Sequence, residues 1–279
     1  MYAQPISVEL VERDGEWQLL RGGKPFVVMG AGGEGSLAAL KAAGGNTTRT
    51  WDAEDIDALL DDAHRHGIAV VVGIWLGHER HGFDYQNVDR VAEQYERARR
   101  LILKYKDHPA VLMWGIGNEM EGFEAGDNAA IWSAVNNIAE LAHRIDPDHP
   151  TLTVTAEIGG DRVKSINRLC PAIDIHGINS YGGVASIPKR YRELGGKKPY
   201  LVTEYGPPGS WEGGSTSWNT PIELSSTQKA EFYRRAYRSL HSDASLSLGS
   251  LAFLWSWKVE ATATWFGMFL PDGRRLAAV

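Results

Sequence analysis

A chain of 279 residues, 43% hydrophobic and 23% charged, holds enough apolar material for a large core, which excludes disordered and collagen-like organisation. The net charge of −6, from 35 acidic against 29 basic residues, comes with no stripe of Lys and Arg, so nucleic acid is not an expected partner. Cys170 is the only cysteine, no run of about 18 apolar residues occurs and the N-terminus MYAQPISVEL has no leader character, so the expectation is a soluble protein without disulfides or a membrane partner, cytoplasmic as it stands and periplasmic or secreted where a leader has been removed.

Along the chain, short apolar runs with the character of buried parallel strands alternate with longer segments of helical period, the pattern of repeated βαβ units. In order, the strand candidates are FVVMG from Phe26, NTTRT from Asn46, IAVVVGIW from Ile68 and AVLMWGI from Ala110. They continue with TLTVTA from Thr151, IDIHGI from Ile173, YLVTEY from Tyr200 and LAFLWSW from Leu251. Eight runs predict an α/β fold of one closed (β/α)₈ barrel, a TIM barrel, over residues 1–279, a size at which such barrels form one domain.

The helices between them are marked by apolar stripes. Ile56, Leu59, Leu60 and Ala63 form one, Val91, Tyr95, Ala98, Ile102 and Tyr105 a second, and Ile131, Val135, Ile138 and Ile145 a third. Ser225 and Gln228 match a capping box ahead of Phe232, Ala236 and Leu240. After the eighth run the chain ends at Val279, so a full eighth helix is not expected. The stretch GPPGSWEGGSTSW after Glu204 reads as a long active-site loop.

Chemistry is expected where strands end, because the mouth of such a barrel is built from the loops that follow its strands. The fourth run passes from apolar residues into Gly117-Asn118-Glu119, and the seventh passes into Thr203-Glu204-Tyr205. Each puts a carboxyl at the mouth. Two carboxyls facing one gap can cleave a glycosidic bond, one protonating the leaving oxygen while the other attacks or shields the anomeric carbon. Ten Trp point to carbohydrate as well as to core filling, since indole stacks on sugar C–H faces. Trp51, Trp75, His78, Trp211 and Trp218, in or near mouth loops, are candidates for sugar subsites, and Glu34 and Glu157 for contacts to hydroxyls.

At these motifs the chain resembles the clan A glycoside hydrolases, and most closely the catalytic barrel of glycoside hydrolase family 2. RGGKPFVVMGAGG is similar to that family's entry into the first strand, GGNTTRTW to its second-strand motif, WGIGNE to its acid/base motif and VTEYG to its nucleophile motif. The resemblance implies a retaining β-glycoside hydrolase, with Glu119 as general acid/base and Glu204 as nucleophile. It implies that Asn118 bonds the sugar 2-hydroxyl, that Arg49 and Tyr181 donate to Glu204 with Asn179 beside them, and that Trp255 floors the −1 subsite. Where many members carry a His after the second-strand Arg, this chain has Trp51-Asp52. An open cleft for a β-glucan or related oligosaccharide is the expectation.

Two other readings use the same residues. A transglycosylase would pass the sugar to another sugar hydroxyl, and a silent barrel would only bind glycans. No metal or other cofactor is expected: the strand ends lack a ligand set, His176 lies inside its strand, and His64 and His66 are two apart, which keeps them off a shared helix face.

Overall fold

The computed structural model describes residues 4–122, 124–242 and 245–279; the first three residues of the N-terminal stretch lie outside these. The chain opens with three antiparallel strands, β1 (Val8–Arg13), β2 (Glu16–Arg21) and β3 (Lys24–Pro25), paired in the order β1-β2-β3. The eight that follow are all parallel: β4 (Val28–Gly32), β5 (Thr47–Arg49), β6 (Ala69–Ile74), β7 (Val111–Asn118), β8 (Thr151–Ala156), β9 (Ile175–Asn179), β10 (Tyr200–Tyr205) and β11 (Ser247–Phe253). They form a closed barrel in chain order, with β11 returning to pair with β4 from Gly249↔Val28 to Phe253↔Gly32. At that seam Gly249 has φ +127°, and a Cβ there would lie 2.0 Å from the Val28 carbonyl oxygen, so only glycine lets the last strand meet the first.

The strands, buried on both faces, alternate their side chains between two layers. In β6, Ala69 and Val71 join Met113, Leu152, Val154, Ile175, Leu201 and Leu251 inside, while Val70, Val72 and Ile74 pack outward against the helices. The N-terminal sheet closes the far end of the barrel. Val8 and Leu19 join the inner layer, and Arg21 Nη2 donates to the Pro109 carbonyl just ahead of β7.

The helices α1 (Leu37–Ala42), α2 (Asp57–His66), α3 (Val88–Tyr105), α4 (Ala129–Ile145), α5 (Arg162–Leu169), α6 (Ile187–Glu193) and α7 (Ser226–Leu240) follow the first seven barrel strands in turn. The capping box of α7 is formed: Ser225 Oγ accepts from Gln228 N, and Gln228 Oε1 accepts from Ser225 N. Among the described residues no helix follows β11. Instead the segment beyond it doubles back, with Met268 N bonded to Leu254 O and Ala277 N to Ser226 Oγ. Among the described residues no helix is long and apolar enough to cross a membrane.

The N-terminal strands β1–β3 were not expected, and among the barrel strands the last departs furthest from expectation, starting at Ser247 and ending at Phe253 rather than running from Leu251 through Trp257. Ser247, Gly249 and Ser250 weaken the apolar signal of its first half. The aromatic residues after it, Trp255 and Trp257, therefore lie beyond the barrel wall.

Candidate active site

The apolar run of β7 ends at Ile116, after which the backbone turns sharply, with φ +74° at Gly117 and φ +50° at Glu119. A left-handed conformation at a non-glycine residue costs on the order of 1 kcal/mol or more. The turn is held by Glu119 N donating to the Val154 carbonyl of β8 at 2.8 Å. It aims the Asn118 and Glu119 side chains into a cavity of about 1110 Å³ at the C-terminal ends of the strands. Glu204, 5% exposed on β10, lines the same cavity.

Both oxygens of Glu204 are engaged. Oε1 accepts from Arg49 Nη1 at 2.9 Å and from Trp51 Nε1 at 2.8 Å, and Oε2 accepts from Tyr181 Oη at 2.7 Å. Burial first, and then the Glu204 charge, raise the Tyr181 pKa well above the usual phenol range, so the hydroxyl remains a donor. Arg49 spans the site from the end of β5, its Nη2 donating to Asn118 Oδ1 at 2.6 Å while Nη1 holds Glu204. Asn179 Nδ2 reaches the same Asn118 oxygen at 3.2 Å. With its carbonyl oxygen held by two donors, Asn118 presents its N–H₂ to the cavity, where it can donate to a substrate hydroxyl.

Asn179 also donates through Nδ2 to Glu119 Oε1 at 2.8 Å. Burial is the largest influence on Glu119, the charge of Glu204 is the next, and together they push its pKa up to about 7. The site thus pairs a carboxyl of raised proton affinity, Glu119, with a second carboxyl group, Glu204, that accepts from three donors. Such a pair can supply a proton to one face of a bond and an electron pair to the other.

Other predicted residues fall in different places. Trp75 lines the cavity, and His78 does not. His78 is buried as the middle ring of a stack, 4.8 Å from Trp75 and 5.2 Å from His81, with its pKa pushed down to about 4 by burial first and then by Arg80 and His81. It supports Trp75 from behind, and His81 is the imidazole that reaches the cavity. Trp255 is likewise displaced. Its indole is 3% exposed, donates to the Ser36 carbonyl at 3.0 Å and packs edge-on against Phe269, outside the site. Phe253, two residues earlier at the true end of β11, faces the cavity between Trp51 and Tyr181. Counting the last strand from Leu251 concealed this, and the signal that would have revealed it is the glycine at 249.

Trp211 lines the cavity at 68% exposure, whereas Trp218, at 75%, does not. Glu34 and Glu157 both line it. Burial opposes ionisation of Glu157, but Arg190, bonded to both of its oxygens, and Ser180 outweigh burial and keep its carboxyl below the usual range. Asp52 turns away from the cavity to pair with Arg97 of α3 at 2.6 Å. Sequence reasoning also missed Glu121, buried beyond the β7 turn, where Oε1 accepts from Ala156 N at 2.6 Å and Arg162 Nε at 2.8 Å and ties this loop to the one after β8. Its signal was the second carboxylate in NEMEG. Among the described residues no three His, Cys, Asp or Glu side chains are grouped to hold a metal ion.

The chain has relatives among known proteins. Residues 38–240 match the family described as glycosyl hydrolases family 2, TIM barrel domain. A β-glucuronidase of Paenibacillus borealis is 27% identical over 190 residues, which cover 60% of this chain and 30% of that protein. A β-glucuronidase of Chlorocebus aethiops is 26% identical over 201 residues, covering 64% of this chain and 28% of that protein. The matched stretches thus span 28% to 30% of the length of these curated relatives. The solved structure of a β-D-glucuronidase from Dictyoglomus thermophilum superimposes with a TM-score of 0.71 at 19% identity, over 97% of this chain and 52% of that one. A β-glucuronidase of Ruminococcus gnavus gives 0.74 at 17%, over 97% and 51%. At these identities the two structures establish the shared barrel fold.

Proposed function

The chain belongs to glycosyl hydrolase family 2 as its TIM barrel domain, and from that premise we propose that it cleaves a β-glycosidic bond with retention, through Glu204 as nucleophile and Glu119 as acid/base. The observation that carries the reading is the contrast between the two carboxyls in one cavity. Glu119 retains a proton up to about pH 7, and Glu204 accepts from Arg49, Trp51 and Tyr181.

In the first half-reaction a Glu204 oxygen forms a bond to the anomeric carbon as the glycosidic bond breaks, and the leaving oxygen takes the proton of Glu119. Glu119 is then a carboxylate, and it removes a proton from the water that attacks the same carbon and releases Glu204. Two inversions give net retention. Asn118 donates to the 2-hydroxyl of the sugar, a contact that strengthens as charge develops at the anomeric carbon.

The cavity, at about 1110 Å³, is slightly larger than the usual range for small-molecule pockets and leaves room beyond a single sugar ring. That space supports a β-linked oligosaccharide or a glycoside with a bulky aglycone. The relatives are named as β-glucuronidases rather than β-glucanases, which puts β-glucuronides first among the glycones, and the cavity wall carries Arg80 and Lys258, the latter paired with Glu260.

The test is a panel of aryl β-glucuronide, β-glucoside, β-galactoside and β-mannoside with β-linked oligosaccharides, run on wild type, Glu204→Ala and Glu119→Ala. Both variants are expected to lose turnover, with azide rescuing Glu204→Ala through an inverted glycosyl azide. A first-formed product of inverted configuration, or full activity in either variant, refutes the assignment. Excess sugar acceptor in the same assays separates transfer from hydrolysis.

A further inference from the structure

Trp51 lines the cavity as a sugar-stacking residue would, yet its ring is committed elsewhere. Its Nε1 donates to Glu204 Oε1 at 2.8 Å, on the oxygen that also takes Arg49 Nη1 at 2.9 Å. The indole is held in that position from several sides. The Arg49 guanidinium carbon stands 5.2 Å from the ring centroid, and the edge of Phe253 meets the ring at 5.8 Å and 83°. Gly32 makes room beneath it, since a Cβ there would come within 2.9 Å of Trp51 Cη2. Among the described residues Glu204 Oε2 receives one donor, the Tyr181 hydroxyl at 2.7 Å.

We propose that Trp51 is a positioning residue for the nucleophile: its N–H, together with Arg49, reserves Oε1 of Glu204 as the held oxygen and leaves Oε2 to attack the anomeric carbon. This rests on the reading of Glu204 as nucleophile. In the first half-reaction a lone pair of Oε2 forms the bond to the anomeric carbon, the glycosidic bonding pair passes to the leaving oxygen and Glu119 gives that oxygen its proton. Tyr181 keeps its own proton, and Oε1 becomes the carbonyl oxygen of the ester. In the second half-reaction water bonds to the anomeric carbon and loses a proton to Glu119. The bonding pair returns to Oε2, and negative charge reappears across the carboxylate. The donors on Oε1 bind that charge more strongly than they bind an ester carbonyl, so Trp51 acts chiefly on release of the sugar from Glu204.

The experiment is Trp51→Phe, which retains an aromatic ring and removes the N–H. On an activated aryl glycoside kcat is expected to fall on the order of 10- to 100-fold, the scale of one hydrogen bond to an ionised group. KM is expected to fall with it, because the glycosyl ester accumulates. In a Glu204→Ala background rescued by azide, adding Trp51→Phe leaves the rescued rate unchanged, since the group it acts through is gone. Without substrate, the Trp51 indole N–H resonance lies upfield in Glu204→Gln relative to wild type. A Trp51→Phe enzyme with raised KM at unchanged kcat, a further loss in the azide-rescued background, or an indole resonance indifferent to Glu204→Gln overturns the proposal alone. A wild type without activity on any glycoside overturns the nucleophile reading, and the proposal falls with it.

Discussion

Asn179 Nδ2 lies 2.8 Å from Glu119 Oε1, and the other end of the same amide accepts from Thr203 Oγ1 at 2.8 Å, so the direction of the Asn179 N–H₂ is set by its neighbour on β10. The bond favours the ionised form of Glu119 and opposes the burial that raises its pKa. Removing it with Asn179→Ala is expected to raise the proton affinity of Glu119 further. The alkaline limb of the kcat/KM profile then moves to higher pH, and the rate falls roughly tenfold through loss of orientation. A pH–rate series on an aryl glycoside checks the sign, and movement of that limb to lower pH contradicts it.

The same raised pKa bears on stability. Glu119 titrates near 4.5 in the unfolded chain and near 7 in the fold, so the folded state binds the proton more tightly. The stabilisation from protonation is fully present below about pH 4.5 and is lost as pH rises through about 7. Above that, an ionised carboxyl stays buried beside Glu204. Glu119→Gln is therefore expected to raise Tm at pH 8 by several degrees and to leave it unchanged near pH 4.5. Thermal melts of the two proteins across pH test this, and an equal gain at both ends rules it out.

How much of this is legible in the sequence depends on the kind of signal. Seven barrel strands announced themselves as apolar or β-branched runs, polar residues at the ends of β7 and β10 marked Asn118, Glu119 and Glu204, and the family resemblance added Arg49 and Asn179, all of which the structure brings together at one site. The eighth strand was misplaced because glycine and serine fill its first half, and that shift moved the expected aromatic from Phe253 to Trp255. His78 misled for a different reason. Residue type and loop position are visible in a sequence, whereas the direction of a side chain within a loop is set by packing, here a three-ring stack with Trp75 and His81. The Trp51 bond to Glu204 had no sequence signal, since it joins residues 153 positions apart.

Arg49 bonds two groups at once through a planar fork, Glu204 at 2.9 Å and Asn118 at 2.6 Å, with 3% of its side chain exposed. A lysine retains the charge but offers a single ammonium on a flexible stem, which cannot hold both acceptors in this geometry. Arg49→Lys is expected to fold, to lose on the order of 100-fold in kcat and to weaken discrimination for the 2-hydroxyl as Asn118 loses its anchor. Steady-state kinetics on a glycoside and its 2-deoxy analogue check both effects. Unchanged selectivity between the two substrates would show that Asn118 is oriented without Arg49.

Trp211 presents the opposite situation, a large aromatic with little to hold it. It is 68% exposed, touches Tyr181 edge-on at 5.9 Å, and sits beside Glu212, whose Oε2 accepts from Gly182 N at 3.0 Å and Gly209 N at 2.7 Å and so pins the loop to the cavity rim. An exposed indole contributes little to folding, so Trp211→Ala is expected to alter stability by less than about 0.5 kcal/mol. Its open face can stack on a sugar or aglycone beyond the bond being cut, an interaction of about 1 kcal/mol or somewhat more. KM for a β-linked trisaccharide is therefore expected to rise roughly 5- to 20-fold, while KM for a glycoside with a small aglycone stays near the wild-type value. Equal losses on long and short substrates would move Trp211 to the glycone side of the cleaved bond. No loss on either would make it surface.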